Sequence, residues 1–266
     1  MKGRRSAMPI AIITGASSGL GRAYIDAIIR ECPEIREIWV IARSKGKLER
    51  IASEYQSVRI VPVPLDLTDL RSFDELRDRL DATKPFIRML VSNAGIGASR
   101  PFADENPQRL LQLVQLNVMA ATMVTRLCLP YMQRGSMILE TGSILGVSPV
   151  GNLAAYSASK SYVRTLSVVL RQELEPRGIH VTVVQPGLMD TPMLSRGSKS
   201  SAGAVSDAGP GKRTLLPVLD PRDVAVGSIR AVKRNKAIYL PHPFNKLLAF
   251  LAKILPITFG VSVANM

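Results

Sequence analysis

Ile10-Ala-Ile-Ile-Thr14-Gly15-Ala16-Ser17-Ser18-Gly19-Leu20-Gly21 is an apolar run that ends in a glycine-rich turn, followed by a helical pattern to about Arg30. A strand that enters such a turn, with a helix leaving it, is the setting of a dinucleotide-phosphate motif. The glycines allow a tight turn and close backbone approach, and the helix N-terminus favours a pyrophosphate. The spacing departs from G-x-G-x-x-G, because three residues separate the first two glycines. A plain strand-to-helix connection could carry the same composition, so the rest of the chain has to decide.

Strand-like and helix-like segments alternate from Pro9 to about Val184. This is the pattern of a doubly wound parallel sheet with helices on both faces. Strands are expected at Ile10–Thr14, Glu37–Ala42, Val58–Val63, Ile87–Val91, Ser136–Glu140 and His180–Val184, with a last one at Ala237–Leu240. Between them lie helices, including one at Asp69–Ala82 with Leu70, Phe73, Leu76 and Leu80 at three- and four-residue spacing. A long helical pattern runs from about Asn106 to Met132 through Asn117, and another spans Leu153–Leu174. Asp220-Pro221 opens a further helix, with Asp as N-cap and Pro at the first helical position; its Val224, Ala225, Ile229 and Val232 turn toward the core.

Nothing divides the chain, so residues 1–266 are expected to form one domain, with a cofactor-binding and catalytic core over 8–190. The hydrophobic fraction of 46% and charged fraction of 21% are those of a folded protein with a sizeable core. Cys32 and Cys128 have no partners at metal or redox spacing, which points to a reducing, cytoplasmic setting and gives no metal site. Lys and Arg number 35 against 21 acids, a net charge of +14, which favours anionic partners such as phosphates, acyl carriers or anionic lipid. Nucleic acid is not expected: aromatics are 5%, and no aromatic-rich basic strand or recognition helix is present. The basic Lys2–Arg5 segment reads as a tail before a buried strand, because the apolar stretch after it is too short for a signal peptide.

On the helix at Leu153–Leu174, Tyr156 and Lys160 stand four residues apart and therefore on one face. An ammonium beside a phenol favours the phenolate, which would lower the tyrosine pKa toward a range useful for proton transfer. Ser143, from another element, could hold a substrate oxygen against that tyrosine. By itself Tyr-x-x-x-Lys is equally an ordinary helix face. At the end of the second strand stands Ala42 followed by Arg43, with Ser44, Lys45 and Lys47 nearby. A missing acid and an adjacent guanidinium suit the 2′-phosphate of NADP(H) rather than the ribose of NADH.

Taken together, Thr14–Gly21, Asn93-Ala94-Gly95, Asn117, Ser143, Tyr156-x-x-x-Lys160 and Pro186-Gly187-x-x-x-Thr191 resemble the short-chain dehydrogenase/reductase pattern, in its order and at its spacings, over about residues 8–240. The resemblance implies a Rossmann-type sheet of about seven parallel strands and hydride transfer between NADP(H) and a carbonyl or secondary alcohol. It implies that Gly15, Ser17, Ser18, Gly19 and Gly21 form the phosphate turn, with Arg43 on the adenosine phosphate. Asp66 would face the adenine with Leu67 beside it. Asn93, Ala94 and Gly95 would line the cofactor, and Pro186, Gly187, Met189 and Thr191 would hold its nicotinamide end. Tyr156 would be the proton donor, and Lys160 would tune it and bind the nicotinamide ribose. Ser143 would orient the substrate, and Asn117 would hold a water in a proton relay. The family tendency also implies a homo-oligomer, a dimer or tetramer.

One position departs from the family pattern: the fifth strand ends Glu140-Thr141-Gly142-Ser143, with an acid where an amide is usual. Glu140 either pairs with a basic residue or alters the hydrogen bonding behind the site. Ser195–Lys212, within a loop over 191–218, is rich in Gly, Ser and Ala and is expected to be a mobile substrate loop. Leu145, Val147, Val150, Leu153, Leu188, Met189, Met193 and Leu194 offer apolar lining for a hydrophobic substrate such as a steroid or acyl chain. A 3-oxoacyl-carrier reductase and a non-catalytic NADP(H)-binding sensor are the alternative readings. In the apolar segment 244–266, Leu247, Leu248, Leu251, Ile254 and Leu255 share one helical face beside Lys246 and Lys253. That face suits either peripheral contact with anionic lipid or packing on the protein's own core or a subunit partner.

Overall fold

The computed structural model describes residues 8–97, 100–191 and 217–256. The basic tail Lys2–Arg5, Met193, Leu194, the loop Ser195–Lys212 and the end of the chain over 257–266 lie outside the described residues.

Seven strands form one sheet: β1 (Pro9–Thr14), β2 (Glu37–Ala42), β3 (Arg59–Pro64), β4 (Phe86–Ser92), β5 (Met137–Thr141), β6 (His180–Val184) and β7 (Ile238–Tyr239). Their order is β3-β2-β1-β4-β5-β6-β7, and every pairing is parallel. Strands such as Ile10–Ile13 and Ile38–Ile41 are apolar throughout because both sheet faces are covered. The helices are α1 (Gly19–Glu31), α2 (Lys45–Glu54), α3 (Arg71–Thr83), α4 (Pro107–Val114), α5 (Ala120–Cys128), α6 (Ala154–Leu174), α7 (Pro221–Lys233) and α8 (Pro243–Ile254). α7 starts as its sequence suggests: the Asp220 side chain accepts from the Arg222 amide, with Pro221 at the first position.

The two sides of the sheet hold separate cores. Ala11, Ile13 and Val91 pack with Tyr24 and Ile28 of α1, Leu48 of α2 and Ile229 and Val232 of α7. Ile12, Ile87, Leu90 and Ile138 pack on the other side with Phe73, Leu76 and Leu80 of α3, Val124 and Cys128 of α5 and Leu174 of α6. Leu70 does not join them; it precedes the first turn of α3 and is 66% exposed. The stretch Pro107–Tyr131 is long and apolar enough to cross a membrane by length and composition. Its Ala120, Val124 and Cys128 instead belong to the second core, as a helix packed on a sheet requires.

The sequence pattern of one long helix at 106–132 conceals a change of hydrogen bonding. Gln115–Met119 is a π turn between α4 and α5, and Asn117 lies at its centre. Single π turns interrupt the α ladder and recur at functional sites.

The sheet order reverses beside β1, so the crevice outside the C-terminal ends of β1 and β4 is the binding position of an open α/β sheet. Gly146, in the 3-10 turn Ile144–Gly146 after β5, sets how closely α6 approaches that edge. A Cβ at Gly146 would lie 2.6 Å from the Lys160 carbonyl oxygen and 3.0 Å from the Ser161 nitrogen, both main-chain atoms of α6. Gly146→Ala is therefore expected to cost about 2 kcal/mol through overpacking. Equilibrium denaturant unfolding measures it, and an unchanged midpoint would contradict this packing.

Candidate active site

α6 carries Tyr156 and Lys160 one turn apart, beside the C-terminal end of β5. The Lys160 ammonium donates to the Thr141 carbonyl at 2.8 Å and lies 5.8 Å from the centre of the Tyr156 ring. Lys160 is only 6% exposed, and burial pushes its pKa down to about 8, against an opposing pull from the Glu140 charge. The half-buried Tyr156 phenol is pushed above its ordinary range by desolvation, moderated by the Ser143 hydroxyl. The expected lowering of the tyrosine by the lysine is thus corrected. Removal from water sets the direction, because burial disfavours the charged phenolate.

Ser143 caps the 3-10 turn: its Oγ accepts from the Leu145 amide at 3.2 Å. Asn117 approaches from the π turn and is 1% exposed. Its Nδ2 donates to the Ile96 carbonyl at 2.9 Å and to Ser159 Oγ at 3.1 Å, and its Oδ1 accepts from the Ile96 amide at 2.8 Å. Both amide protons are therefore committed to clamping the segment after β4 against α6. A Cβ at Gly95 would lie 3.1 Å from Asn117 Oδ1 and 3.6 Å from Lys160 Nζ. A side chain at Gly95 would press on the Asn117 amide and touch the Lys160 ammonium.

The glycine-rich turn lies in the crevice between β1 and β4. Gly15 and Gly19 take φ of +67° and +54°, values that favour glycine. At Gly21 a Cβ would stand 2.1 Å from the Gly15 carbonyl oxygen, so the turn closes only without that side chain. Ser17 is half-buried and Ser18 is exposed as the N-cap of α1, its hydroxyl making no capping bond; the first turn holds no acid. Arg43 is exposed just after β2, and among the described residues it makes no ion pair. Asp66 accepts from the Thr68 amide and hydroxyl through Oδ1, at 3.0 and 2.8 Å. The Leu67 side chain is buried in the second core. This set fits an anionic dinucleotide: a turn open to the backbone, a helix start free of acids and an uncommitted guanidinium.

Thr14 ties the two strand ends together. Its Oγ1 accepts from the amides of Asn93 and Ala94, each at 2.9 Å, and its carbonyl accepts from Asn93 Nδ2 at 3.2 Å. Across the crevice the Ile144 amide bonds to the Pro186 carbonyl at 3.0 Å, and Met189 bridges to Leu219. Thr191 is half-buried at the edge of the described region. Asn245 of α8 reaches Gly187, where a Cβ would come 3.0 Å from its Oδ1. The buried Nδ2 of Asn245 has no hydrogen-bond partner among the described residues.

Sequence reasoning missed Thr14 as a clamp, Ser159 as a partner of Asn117, and Asn245. The available signals were a hydroxyl at a strand end, a serine inside the Tyr156–Lys160 stretch, and one amide in an apolar helix. A cavity of about 380 Å³ is lined by Pro149, Val150, Asn152, Ala154, Ser157 and Ser161. Ser157 and Ser161 are the neighbours of Tyr156 and Lys160 on α6. Val150, expected as apolar pocket lining, borders this cavity.

A family model described as short chain dehydrogenase matches residues 9–201. A very-long-chain 3-oxoacyl-CoA reductase of Phaeosphaeria nodorum is 32% identical over 197 residues, covering 69% of this chain and 55% of that protein. A solved short-chain dehydrogenase from Sphingobium yanoikuyae, in complex with NADPH, superposes with a TM-score of 0.75 at 26% identity, covering 92% of this chain and 93% of that one. A bulky-bulky ketone specific alcohol dehydrogenase from Comamonas testosteroni gives a TM-score of 0.70 at 28% identity, with 94% of each chain covered.

Proposed function

Because this chain belongs to the short-chain dehydrogenase family, we propose that it is an NADP(H)-dependent oxidoreductase that reduces the carbonyl of a hydrophobic substrate, or oxidises the matching secondary alcohol. The observation that carries the reading is the convergence of Ser143, Tyr156, Lys160 and Asn117 beside the glycine-lined crevice. Gly15, Ser17, Ser18, Gly19 and Gly21 would hold the pyrophosphate, Arg43 the 2′-phosphate and Asp66 the adenine. Asn93, Ala94 and Gly95 would line the cofactor, and Pro186, Gly187, Met189 and Thr191 would surround the nicotinamide.

The bound cofactor supplies or accepts the hydride. This chain's residues manage the accompanying proton. A phenol held above its ordinary pKa stays protonated at neutral pH, so Tyr156 is ready to donate to the carbonyl oxygen as it becomes an alcohol. The Ser143 hydroxyl steadies that oxygen as negative charge develops. Lys160 replenishes the tyrosine proton, and a water held by Asn117 would relay protons to it. Burial of Cys32 and Cys128 as free thiols agrees with a reducing, cytoplasmic setting.

For the substrate, an acyl thioester or a bulky ketone is supported by the activities of the fungal and Comamonas relatives and by the +14 charge, which favours anionic carriers. For α8 we infer contact with an anionic membrane surface. Phe244, Leu247, Phe250, Leu251, Ile254 and Leu255 are exposed, while the helix docks through Asn245 and Ala249. Among the described residues these larger apolar side chains of α8 stay outside the core, and Lys246 and Lys253 run along one edge of the stripe.

Tyr156→Phe should lower kcat by at least ~100-fold in an NADPH-consumption assay over steroids, acyl thioesters and bulky ketones. Undiminished turnover in that variant would refute the mechanism. Arg43→Asp should cost ~10–100-fold in kcat/KM with NADPH and little with NADH; a wild type that prefers NADH contradicts the cofactor assignment. In flotation assays the protein should rise with vesicles containing phosphatidylserine and stay down with purely zwitterionic ones. Self-association without vesicle binding would assign α8 to a subunit partner instead.

A further inference from the structure

Glu140 is 1% exposed on β5, on the sheet face covered by α5 and α6. Thr125 of α5 donates its hydroxyl to Oε1 at 2.6 Å, and Ser92, the register partner in β4, stands beside it. On the β6 side its register partner is the apolar Val183. Oε2 has no hydrogen-bond partner among the described residues. The titratable groups facing it are the Cys128 thiol of α5 and the Lys160 ammonium of α6. Among the described residues Glu140 makes no direct ion pair, so Lys160 acts on it through space.

A carboxyl buried with one oxygen unsatisfied is costly, and a well-packed apolar residue would serve the core better. Its position suggests what offsets that cost. It lies one residue before Thr141, whose carbonyl anchors Lys160, and it is the acid whose charge opposes the loss of the lysine proton. We propose that Glu140 is a positioning residue: a buried counter-charge, delivered from behind the site, that keeps Lys160 in its ammonium form and thereby sets the alkaline edge of turnover. The inference rests on the roles given above to Tyr156 and Lys160. Burial raises the Glu140 pKa to about 7 and lowers that of Lys160 to about 8, so both groups change charge close to neutrality. Without the carboxylate, Lys160 would lose its proton at lower pH.

The test compares wild type, Glu140→Gln and Glu140→Asp. The amide keeps the acceptor for Thr125 and removes only the charge; the shorter acid keeps the charge and changes the shape. In kcat/KM profiles for reduction, the alkaline limb of Glu140→Gln should move to lower pH by ~1 unit, and that of Glu140→Asp by much less. If the amide variant's limb coincides with wild type, or both variants shift equally, the inference fails. A second readout needs no turnover. A folded-state carboxyl pKa raised from 4.5 to about 7 gives stability that is present below pH 4.5 and lost as pH rises through 7. Glu140→Gln lacks that loss, so its melting temperature relative to wild type should climb between pH 4.5 and 7. That comparison reports the carboxyl's own titration, and the pH–rate limbs decide whether its charge acts on Lys160. An inactive Tyr156→Phe with an unmoved Glu140→Gln limb removes this inference alone, whereas a fully active Tyr156→Phe removes the reading of the site beneath it.

Discussion

An ammonium held where water scarcely reaches it is the constraint that the rest of this structure serves. An unpaired buried charge would cost several kcal/mol, and Lys160 avoids much of this by donating to the Thr141 carbonyl. That carbonyl has to point at α6, which requires β5 to end in a fixed orientation. The Gly142 amide bond to the Val184 carbonyl and the Ile144 amide bond to the Pro186 carbonyl hold the loop there. Gly146 then lets α6 come close enough for the lysine to reach. The same descent from water pushes the Tyr156 phenol above its ordinary range. One desolvated pocket thus sets both the geometry and the proton affinities of the candidate site.

The layout of the fold was legible because strands buried on both faces must be apolar runs, and such runs end at glycine, proline or polar turns. β2 and β6 fall on their expected residues, and the other strands shift by one residue at an end or two. Local chemistry was legible where it depends on neighbours in sequence, as at Asp220 capping α7 or the glycine turn before α1. What escaped was what depends on distant partners. The direction of the Tyr156 shift required knowing how deeply the phenol lies, which charge spacing does not encode. The partners of Glu140, on β4, α5 and α6, are brought together only by the tertiary fold. The exposure of Leu70 followed from where α3 begins, a matter of one residue.

α8 illustrates a different limit. Its apolar stripe could be read from periodicity, but periodicity does not say whether a stripe faces inward. The helix docks instead through a small residue and an amide, Ala249 and Asn245, and leaves its larger side chains outside. Because Asn245 sits against Gly187, the docking point is the loop that borders the crevice. The outer face of α8 and the inner wall of the site are two sides of one thin layer.

The π turn at Gln115–Met119 has a consequence for how this region tolerates change. A π turn accommodates one residue more than an α turn, so α4 and α5 are out of phase by about 100° relative to a continuous helix. Asn117 meets Ile96 and Ser159 because of that phase slip. Loss of a single residue there would heal the helix into a regular one, and the healing would swing the amide away from the lysine. Here the less regular hydrogen-bond ladder builds the candidate site, and a local gain in regularity would dismantle it.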